Sequence, residues 1–328
     1  MEKNWNYKPG ELDFLTLQYR ENLKAFTSSF YEAAKDKKAA KSILEDFVSY
    51  VKIQIEKPFE FPPHHFKITK PIDYFAFGNN FIRTLVDLKH SSVKGIKYFD
   101  EIERKLKQKE NVIFFANHQI EADPQAISIL LENSHPILSQ ELTFVAGERV
   151  LTDPLAVPFS LGRNLLCIYS KKYMDSPPED KLRKQLHNKK TMELMSQALT
   201  EGGLSIYVAP SGGRDRPNID GVVEVAPFDP QSIEMFYLMA KRAKRPTHFY
   251  PLALSTYAIL PPPDTLQIEL GERRQTKSHA IHICCGPKID MEALGNGDGS
   301  DRQSKRKKRA LSIWNQVNQD YLSITRGP

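Results

Sequence analysis

The sequence predicts an α/β fold, with a mixed, mostly parallel sheet that is flanked by helices and preceded by a small N-terminal helical domain. Two observations lead to this prediction. After about residue 90, short apolar runs alternate with helical stretches, whereas the first 60 or so residues show helical periodicity alone. Strands buried on both faces of a parallel sheet read as near-continuous apolar runs, and strands that alternate with helices indicate a layered α/β architecture.

The N-terminal part contains two amphipathic helices. Apolar residues recur at every third or fourth position over residues 11–31 and again over residues 38–56, which is the spacing of one helical face. Prolines follow the second helix and mark the end of this unit. We therefore expect a helical domain over residues 1–65 and an α/β domain over residues 66–328, with a helical stretch over residues 73–90 leading into it.

The α/β part is predicted from six apolar runs that end in proline, glycine or polar residues. The predicted strands are VIFFA (112–116), LTFVAG (142–147), LLCIYS (165–170), LSIYVAP (204–210), FYPLAL (249–254) and IHICCG (281–286). Helical stretches lie between several of them, over residues 125–132, 182–200 and 231–242. Residues 295–309 are predicted to be a polar linker with a basic cluster, followed by a final helix.

The composition fits a folded protein with a mildly basic surface. Of the 328 residues 40% are hydrophobic, and the net charge is +6, so the chain can bury a substantial core. A basic excess favours acidic partners, such as nucleic acid, an anionic membrane, a phosphorylated metabolite or an acidic carrier protein. The charge alone does not choose among them, and a solvated surface with a few extra lysines explains it equally well.

Targeting signals are not visible in the sequence. The N-terminus, MEKNWNYKPGELDF, lacks the apolar stretch of a signal peptide, and no apolar run approaches the roughly 18 residues of a membrane span. The three cysteines lack the spacing of a metal site, which favours a reduced setting. We expect a cytoplasmic protein, soluble or peripheral to a membrane, from a bacterium rather than from a plastid precursor.

The stretch FFANHQIEADPQ places His118 and Asp123 five residues apart, directly after a predicted strand. Ligands bind at strand ends in sheets of this kind, so His118 lies where a site is expected. If Asp123 accepts a hydrogen bond from one ring nitrogen, the other nitrogen is free to act as a base. A substrate hydroxyl that His118 deprotonates can then attack an acyl carbonyl directly. The plainer alternative makes Asp123 a helix N-cap and His118 an ordinary loop residue.

A second strand end carries VAPSGGRDRP (208–217), in which two glycines precede Arg214 and Arg216. Residues two apart on an extended segment face the same side, and two guanidinium groups that converge suit a phosphate. A third strand ends at Lys171 and Lys172, where one lysine can add a positive charge. The alternative for the arginines is a surface loop in which they pair with a neighbouring aspartate.

These residues give the chain a resemblance to the soluble glycerol-3-phosphate 1-O-acyltransferases of plastids and related bacteria, within the glycerolipid acyltransferases that share an H-x4-D motif. The stretches that carry it are NHQIEADPQ (117–125), GRNLLCIYSKKYM (162–174), APSGGRDRP (209–217), APFDP (226–230) and YPLALSTYAILPPP (250–263). They span roughly 150 residues of the α/β part. The resemblance implies a helical domain before an acyltransferase catalytic domain, which agrees with the pattern described above.

Carried over by position, the resemblance implies that His118 is the general base and that Asp123 orients it. It also implies that Lys172, Arg214 and Arg216 hold the substrate phosphate. The chain departs from the plant pattern KKHM at Tyr173, which replaces a histidine grouped with the phosphate ligands. A tyrosine hydroxyl donates one hydrogen bond but carries no charge, so we expect weaker phosphate binding or a compensating group elsewhere.

The implied reaction transfers a fatty acyl group to the sn-1 hydroxyl of glycerol 3-phosphate and gives lysophosphatidic acid. The implied donor is acyl-acyl carrier protein or acyl-CoA, and neither a cofactor, a metal nor nucleic acid is implied. An acidic carrier protein suits the net charge of +6. The candidate docking residues are Lys305, Arg306, Lys307, Lys308 and Arg309, unless they belong to a solvated linker. We also expect transient peripheral contact with a membrane. The expected location is the cytoplasm or, for a mature plant-type chain, the plastid stroma.

Three alternatives stay open at this point. An acyltransferase of the same group that uses lysophosphatidate usually needs a membrane-embedded segment, and the N-terminal helices here are too polar for one. A phospholipid- or nucleic-acid-binding protein can keep the fold without catalysis, although it has no need of a histidine backed by an aspartate, and no base-stacking motif is evident. A metal-dependent hydrolase would need more ligands than one histidine and one aspartate.

Overall fold

The helices and strands were located in a computed structural model, which describes residues 5, 7, 10–170, 174–263, 272–295 and 301–326. Over these residues the helices are Leu17–Ala33 (α1), Lys37–Glu56 (α2), Tyr74–Arg83 (α3), Ile96–Lys107 (α4), Asp123–Leu131 (α5), Pro136–Glu141 (α6), Glu148–Thr152 (α7), Val157–Ser160 (α8), Lys181–Glu201 (α9), Pro230–Arg242 (α10) and Arg302–Thr325 (α11). The strands are His64–His65 (β1), Ser92–Lys94 (β2), Asn111–Ala116 (β3), Thr143–Gly147 (β4), Asn164–Ile168 (β5), Ser205–Val208 (β6), Arg216–Pro217 (β7), Val223–Glu224 (β8), Thr247–Ser255 (β9) and His282–Cys285 (β10).

Eight of these strands form one sheet, in the order β1-β5-β4-β6-β3-β9-β10-β2. The five central strands, β5, β4, β6, β3 and β9, run parallel to their neighbours. Strand β1 pairs antiparallel with β5, and β10 pairs antiparallel with β9. The predicted mixed, mostly parallel sheet is thus confirmed, and the carboxyl ends of its five central strands lie along one edge.

Strand β3 shows why the apolar runs are continuous. All six of its residues are buried, because successive side chains point to opposite faces and both faces are covered. Ile113 and Phe115 belong to a hydrophobic cluster with α9, α10 and α11. Val112 and Phe114 belong to a second cluster with α4, α5 and α6. The sheet is therefore the middle of three layers.

The two predicted N-terminal helices are present as α1 and α2. Their buried faces share a cluster with α3 and α5, in which the rings of Phe26 and Phe47 each lie 5.5 Å from the ring of Phe81. Ala126 and Ile129 of α5 complete the same cluster. The helical unit thus shares its core with the rest of the chain, and the boundary proposed at residue 65 stays a prediction.

The predicted linker over residues 295–309 is wrong from Arg302 onward, because α11 begins there. The Asp301 carboxylate accepts hydrogen bonds from the backbone N–H groups of Gln303 and Ser304, at 2.6 and 2.9 Å, and so caps the helix. The predicted helical stretch over residues 73–90 is shorter than expected and ends at Arg83. Helix α4 and strand β2 were not predicted.

Candidate active site

His118 lies just beyond the carboxyl end of β3, and its ring contacts the candidate aspartate. Its Nδ1 is 2.8 Å from Oδ2 of Asp123. The Asp123 side chain is fully buried, whereas the His118 side chain is 30% exposed. With Asp123 ionised, Nδ1 carries the proton and its N–H donates a hydrogen bond to the carboxylate. Nε2 is then the unprotonated nitrogen, which is the arrangement a general base needs.

Asp123 is held by donors on every side. Its Oδ2 also accepts hydrogen bonds from the backbone N–H groups of Gln119 and Ile120, at 2.8 and 3.3 Å. Its Oδ1 accepts the hydroxyl of Thr256, which follows β9, at 2.5 Å. The carboxylate makes no capping hydrogen bond to α5, whose N-cap residue is Ala122. The capping alternative from the sequence therefore does not describe Asp123, whose carboxylate is instead hydrogen-bonded to the ring of His118.

A cavity of about 1400 Å³ opens beside this pair. Its walls contain His118, both candidate arginines and many apolar side chains. Among the described residues, four methionines lie in the wall, on two neighbouring helices: Met192 and Met195 of α9, and Met235 and Met239 of α10. Methionine adapts its shape readily to an apolar ligand. The cavity can therefore hold a polar head near His118 and a long apolar tail.

The two arginines of the glycine-rich loop both line this cavity. Gly212 adopts a left-handed φ of +65°, and this turn leads into the arginine segment. Nη2 of Arg214 donates to both carboxylate oxygens of Glu272, at 2.6 and 2.8 Å. Nη1 of Arg216 donates to the carbonyl oxygen of Pro263. The other predicted phosphate ligands, Lys172 and Tyr173, lie outside the described residues.

Asp215, between the two arginines, joins their loop to the histidine loop. It is fully buried, and its carboxylate accepts hydrogen bonds from Asn117 Nδ2 at 2.8 Å and Gln119 Nε2 at 3.3 Å. The backbone N–H of Ala226 donates to the same carboxylate at 3.0 Å. Burial raises the pKa of Asp215 to about 6, although these hydrogen bonds oppose the rise. A single carboxylate therefore connects the residues on both sides of His118.

A buried ion-pair network that the sequence did not reveal lies behind Arg214. Arg274 donates to Glu121 at 2.7 and 3.1 Å and to Asp153 at 2.9 Å. Burial alone would raise the pKa of Glu121, but Arg274, then Arg214 and His118, lower it to about 2. Glu121 thus stays ionised beside the site. Its position inside the H-x4-D stretch was a usable signal, whereas nothing near Arg274 in the sequence marks that residue.

The chain is similar in sequence to known acyltransferases. Residues 97–255 match the family model described as Acyltransferase. The chloroplastic glycerol-3-phosphate acyltransferase of Spinacia oleracea is 41% identical over 281 residues, which are 85% of this chain and 59% of the relative. That of Phaseolus vulgaris is 40% identical over 291 residues, 87% of this chain and 63% of the relative. That of Arabidopsis thaliana is 38% identical over 268 residues, 81% of this chain and 58% of the relative.

The chain spans about three fifths of the length of these curated relatives. Among solved structures, it is similar to the 1-acyl-sn-glycerophosphate acyltransferase PlsC from Thermotoga maritima, with a TM-score of 0.38 and 16% identity over 76% of this chain and 91% of that chain. These sequence matches confirm the resemblance that the motifs indicated. Residues 97–255 thus match a model of the acyltransferase domain, and the chain is similar in sequence to the chloroplast glycerol-3-phosphate acyltransferases.

Proposed function

We propose that this chain is a glycerol-3-phosphate 1-O-acyltransferase, which transfers a fatty acyl group from acyl-acyl carrier protein or acyl-CoA and forms lysophosphatidic acid. One observation carries the proposal. An oriented histidine and two arginines, His118, Arg214 and Arg216, line the same cavity. The acceptor must therefore offer both a hydroxyl and an anionic group, and the names of the relatives supply glycerol 3-phosphate as that acceptor.

The proposed chemistry is direct acyl transfer without an acyl-enzyme. Nε2 of His118 takes the proton of the sn-1 hydroxyl as the oxygen attacks the thioester carbonyl. The new C–O bond forms, the C–S bond breaks, and the proton passes from the imidazolium to the departing thiolate. Asp123 stabilises the imidazolium between these two transfers, because its buried carboxylate lies 2.8 Å from Nδ1.

The phosphate would bind to the guanidinium groups of Arg214 and Arg216 and to Lys172. Arginine pairs with phosphate through charge-assisted hydrogen bonds, which hold the glycerol in one orientation. The hydroxyl that reaches His118 is then always the one farthest from the phosphate. This arrangement gives the sn-1 product and disfavours acceptors that lack the phosphate.

The acyl chain would lie along the apolar wall of the cavity. Met192 and Met235 are half-buried, Met195 is fully buried, and all three line the cavity. Burying apolar surface contributes about 25 cal/mol per Å². A chain of many methylene groups therefore gains substantial binding energy there without any polar contact.

The donor's protein partner would dock on the exposed basic residues of α11. Lys307 and Lys308 are exposed, and Lys305 is half-buried. Arg309 must be removed from the docking candidates, because its side chain is buried and donates to Glu234 at 2.5 Å. Arg306 also lies close to Glu234, at 3.6 Å. The proposed surface for an acidic carrier protein is therefore smaller than the sequence suggested.

Location and membrane contact remain part of the proposal. The curated relatives are chloroplastic by name, whereas we propose a cytoplasmic or stromal enzyme that touches a membrane transiently to release its product. Within the described ranges, none of the helices combines the length and the hydropathy needed to cross a bilayer.

The test is acyl transfer by the purified chain. Radiolabelled glycerol 3-phosphate, plain glycerol and lysophosphatidate are each offered with acyl-acyl carrier protein and with acyl-CoA. Labelled lysophosphatidate that forms only from the phosphorylated acceptor would support the proposal. Product that forms only with lysophosphatidate as the acceptor would instead indicate an acyltransferase that uses lysophosphatidate. No product from any pair, with the protein folded, would indicate a binding protein that keeps the fold.

A further inference from the structure

The carboxylate of Glu272 lies between two guanidinium groups at the candidate site. Arg214 contributes one of them, with Nη2 at 2.6 and 2.8 Å from the two oxygens. Arg149 contributes the other, with Nη1 at 3.7 Å from Oε2. The Glu272 side chain is only 4% exposed. Two arginines that converge on one buried carboxylate define a position that an anion prefers to occupy.

Arg149 reaches this position from a part of the chain that no motif marked. It lies in α7, directly after β4 and therefore at the same edge of the sheet as His118. Its side chain is 31% exposed and lines the same cavity. Within the described ranges, its contact with Glu272 is a long ion pair beyond hydrogen-bond distance. Arg274, by contrast, is saturated by Glu121 and Asp153.

We propose that Arg149 is a further phosphate-binding residue, and that the Glu272 carboxylate occupies the phosphate position between Arg149 and Arg214 until the acceptor displaces it. This inference rests on the proposed function for the identity of the acceptor. Arg149 would also compensate for the phosphate ligand lost where Tyr173 replaces a histidine. A carboxylate and a phosphate both accept paired hydrogen bonds from a guanidinium group, so one can stand in for the other.

Arg149 and Glu272 should then have opposite effects on the affinity for the acceptor. Arg149 attracts the phosphate, and removing its charge weakens acceptor binding. Glu272 competes for the same guanidinium groups and repels a like charge, so removing its charge strengthens acceptor binding. A purely structural ion pair gives a different result, because breaking it from either side leaves the other charge unpaired and harms the site in both variants.

The experiment is calorimetric titration of glycerol 3-phosphate into the full chain, without any acyl donor. The variants are Arg149→Gln and Glu272→Gln, with Arg83→Gln as the matched control. Arg83 has the same 31% exposure and is paired with Glu132 at 2.6 Å, but it is not among the residues of the cavity wall. We expect a Kd about tenfold higher for Arg149→Gln, which corresponds to about 1.4 kcal/mol. We expect a Kd several-fold lower for Glu272→Gln and no change for Arg83→Gln.

Two results would overturn the inference. One is an Arg149→Gln chain that binds the acceptor as tightly as the unmodified chain, and the other is weaker binding by Glu272→Gln. A companion titration with inorganic phosphate separates this inference from the proposed function. If the chain binds phosphate with the expected order among the variants but transfers no acyl group, the anion site stands and the proposed reaction fails. If it transfers acyl groups and Arg149→Gln leaves the KM for glycerol 3-phosphate unchanged, the reaction stands and the Arg149 assignment fails.

Discussion

The backbone N–H of Asp215 donates to the carbonyl oxygen of His118 over 2.6 Å. The residue between the two candidate phosphate ligands is thus bonded directly to the candidate base. Its side chain adds hydrogen bonds to Asn117 and Gln119, on either side of the histidine. The distance between the candidate base and the candidate phosphate ligands is therefore set by hydrogen bonds within the protein.

Replacing His118 by alanine should lower kcat by about 10²–10⁴, the usual contribution of a positioned general base. The fold should survive, because the side chain is partly exposed and the backbone contacts of the loop remain. Single-turnover kinetics and circular dichroism on the same preparation would measure both effects. Near-normal turnover by the variant would remove His118 from the mechanism.

Arg216→Ala should mainly raise the KM for glycerol 3-phosphate. A hydrogen bond to a charged group contributes about 1.5–3 kcal/mol, which predicts a rise of roughly ten- to a hundredfold. The KM for the acyl donor, measured with saturating acceptor, serves as the internal control. If only the donor KM changed, Arg216 would belong to the donor site instead.

Thr256→Val should destabilise the chain and slow catalysis together. The hydroxyl of Thr256 donates to Oδ1 of the fully buried Asp123 at 2.5 Å, and valine keeps the shape while removing the donor. Leaving a buried acceptor without a partner costs about 1–3 kcal/mol. Urea unfolding and kcat would be measured beside Thr84→Val, which removes an exposed hydroxyl that donates to Asn80 on a helix. Equal effects in the two variants would show that the contact with Asp123 is unimportant.

Asp215→Asn should change how stability depends on pH. Burial raises the pKa of Asp215 from 3.8 to about 6. A carboxyl group of this kind contributes stability that is fully present below 3.8 and is lost as the pH rises through about 6. The unmodified chain should therefore lose stability relative to Asp215→Asn between about pH 4 and pH 6. Parallel unfolding curves over that interval would mean that the carboxyl titrates normally.

The strands were predictable because their sequence pattern is local. Strand β3 was expected over residues 112–116 and is found at Asn111–Ala116, since burial on both faces leaves an uninterrupted apolar run. The start of α11 was not predictable from apolar spacing, because its first two turns are polar and basic and their order comes from the Asp301 cap and packing on α10.

The candidate site was also predictable only where its contacts are local in sequence. The contact between His118 and Asp123 spans five residues, so it was visible as a motif and is present at 2.8 Å. Arg149 reaches the site from α7, and Glu272 and Arg274 reach it together from another segment. Neither segment carries a motif. These residues come together because of strand order and loop packing, and neither can be deduced from the spacing of residues along the chain.

The shared cluster of α1, α2, α3 and α5 has a consequence for cooperativity. Helix α5 begins with Asp123, and its residues Ala126 and Ile129 belong to the same buried cluster as the phenylalanines of the N-terminal helices. Removing those helices would expose the buried face of α5, the helix that contains the candidate aspartate. The N-terminal unit and the candidate active site should therefore unfold in one transition. What the sequence suggests is a separate domain would then be part of the same thermodynamic unit as the candidate site.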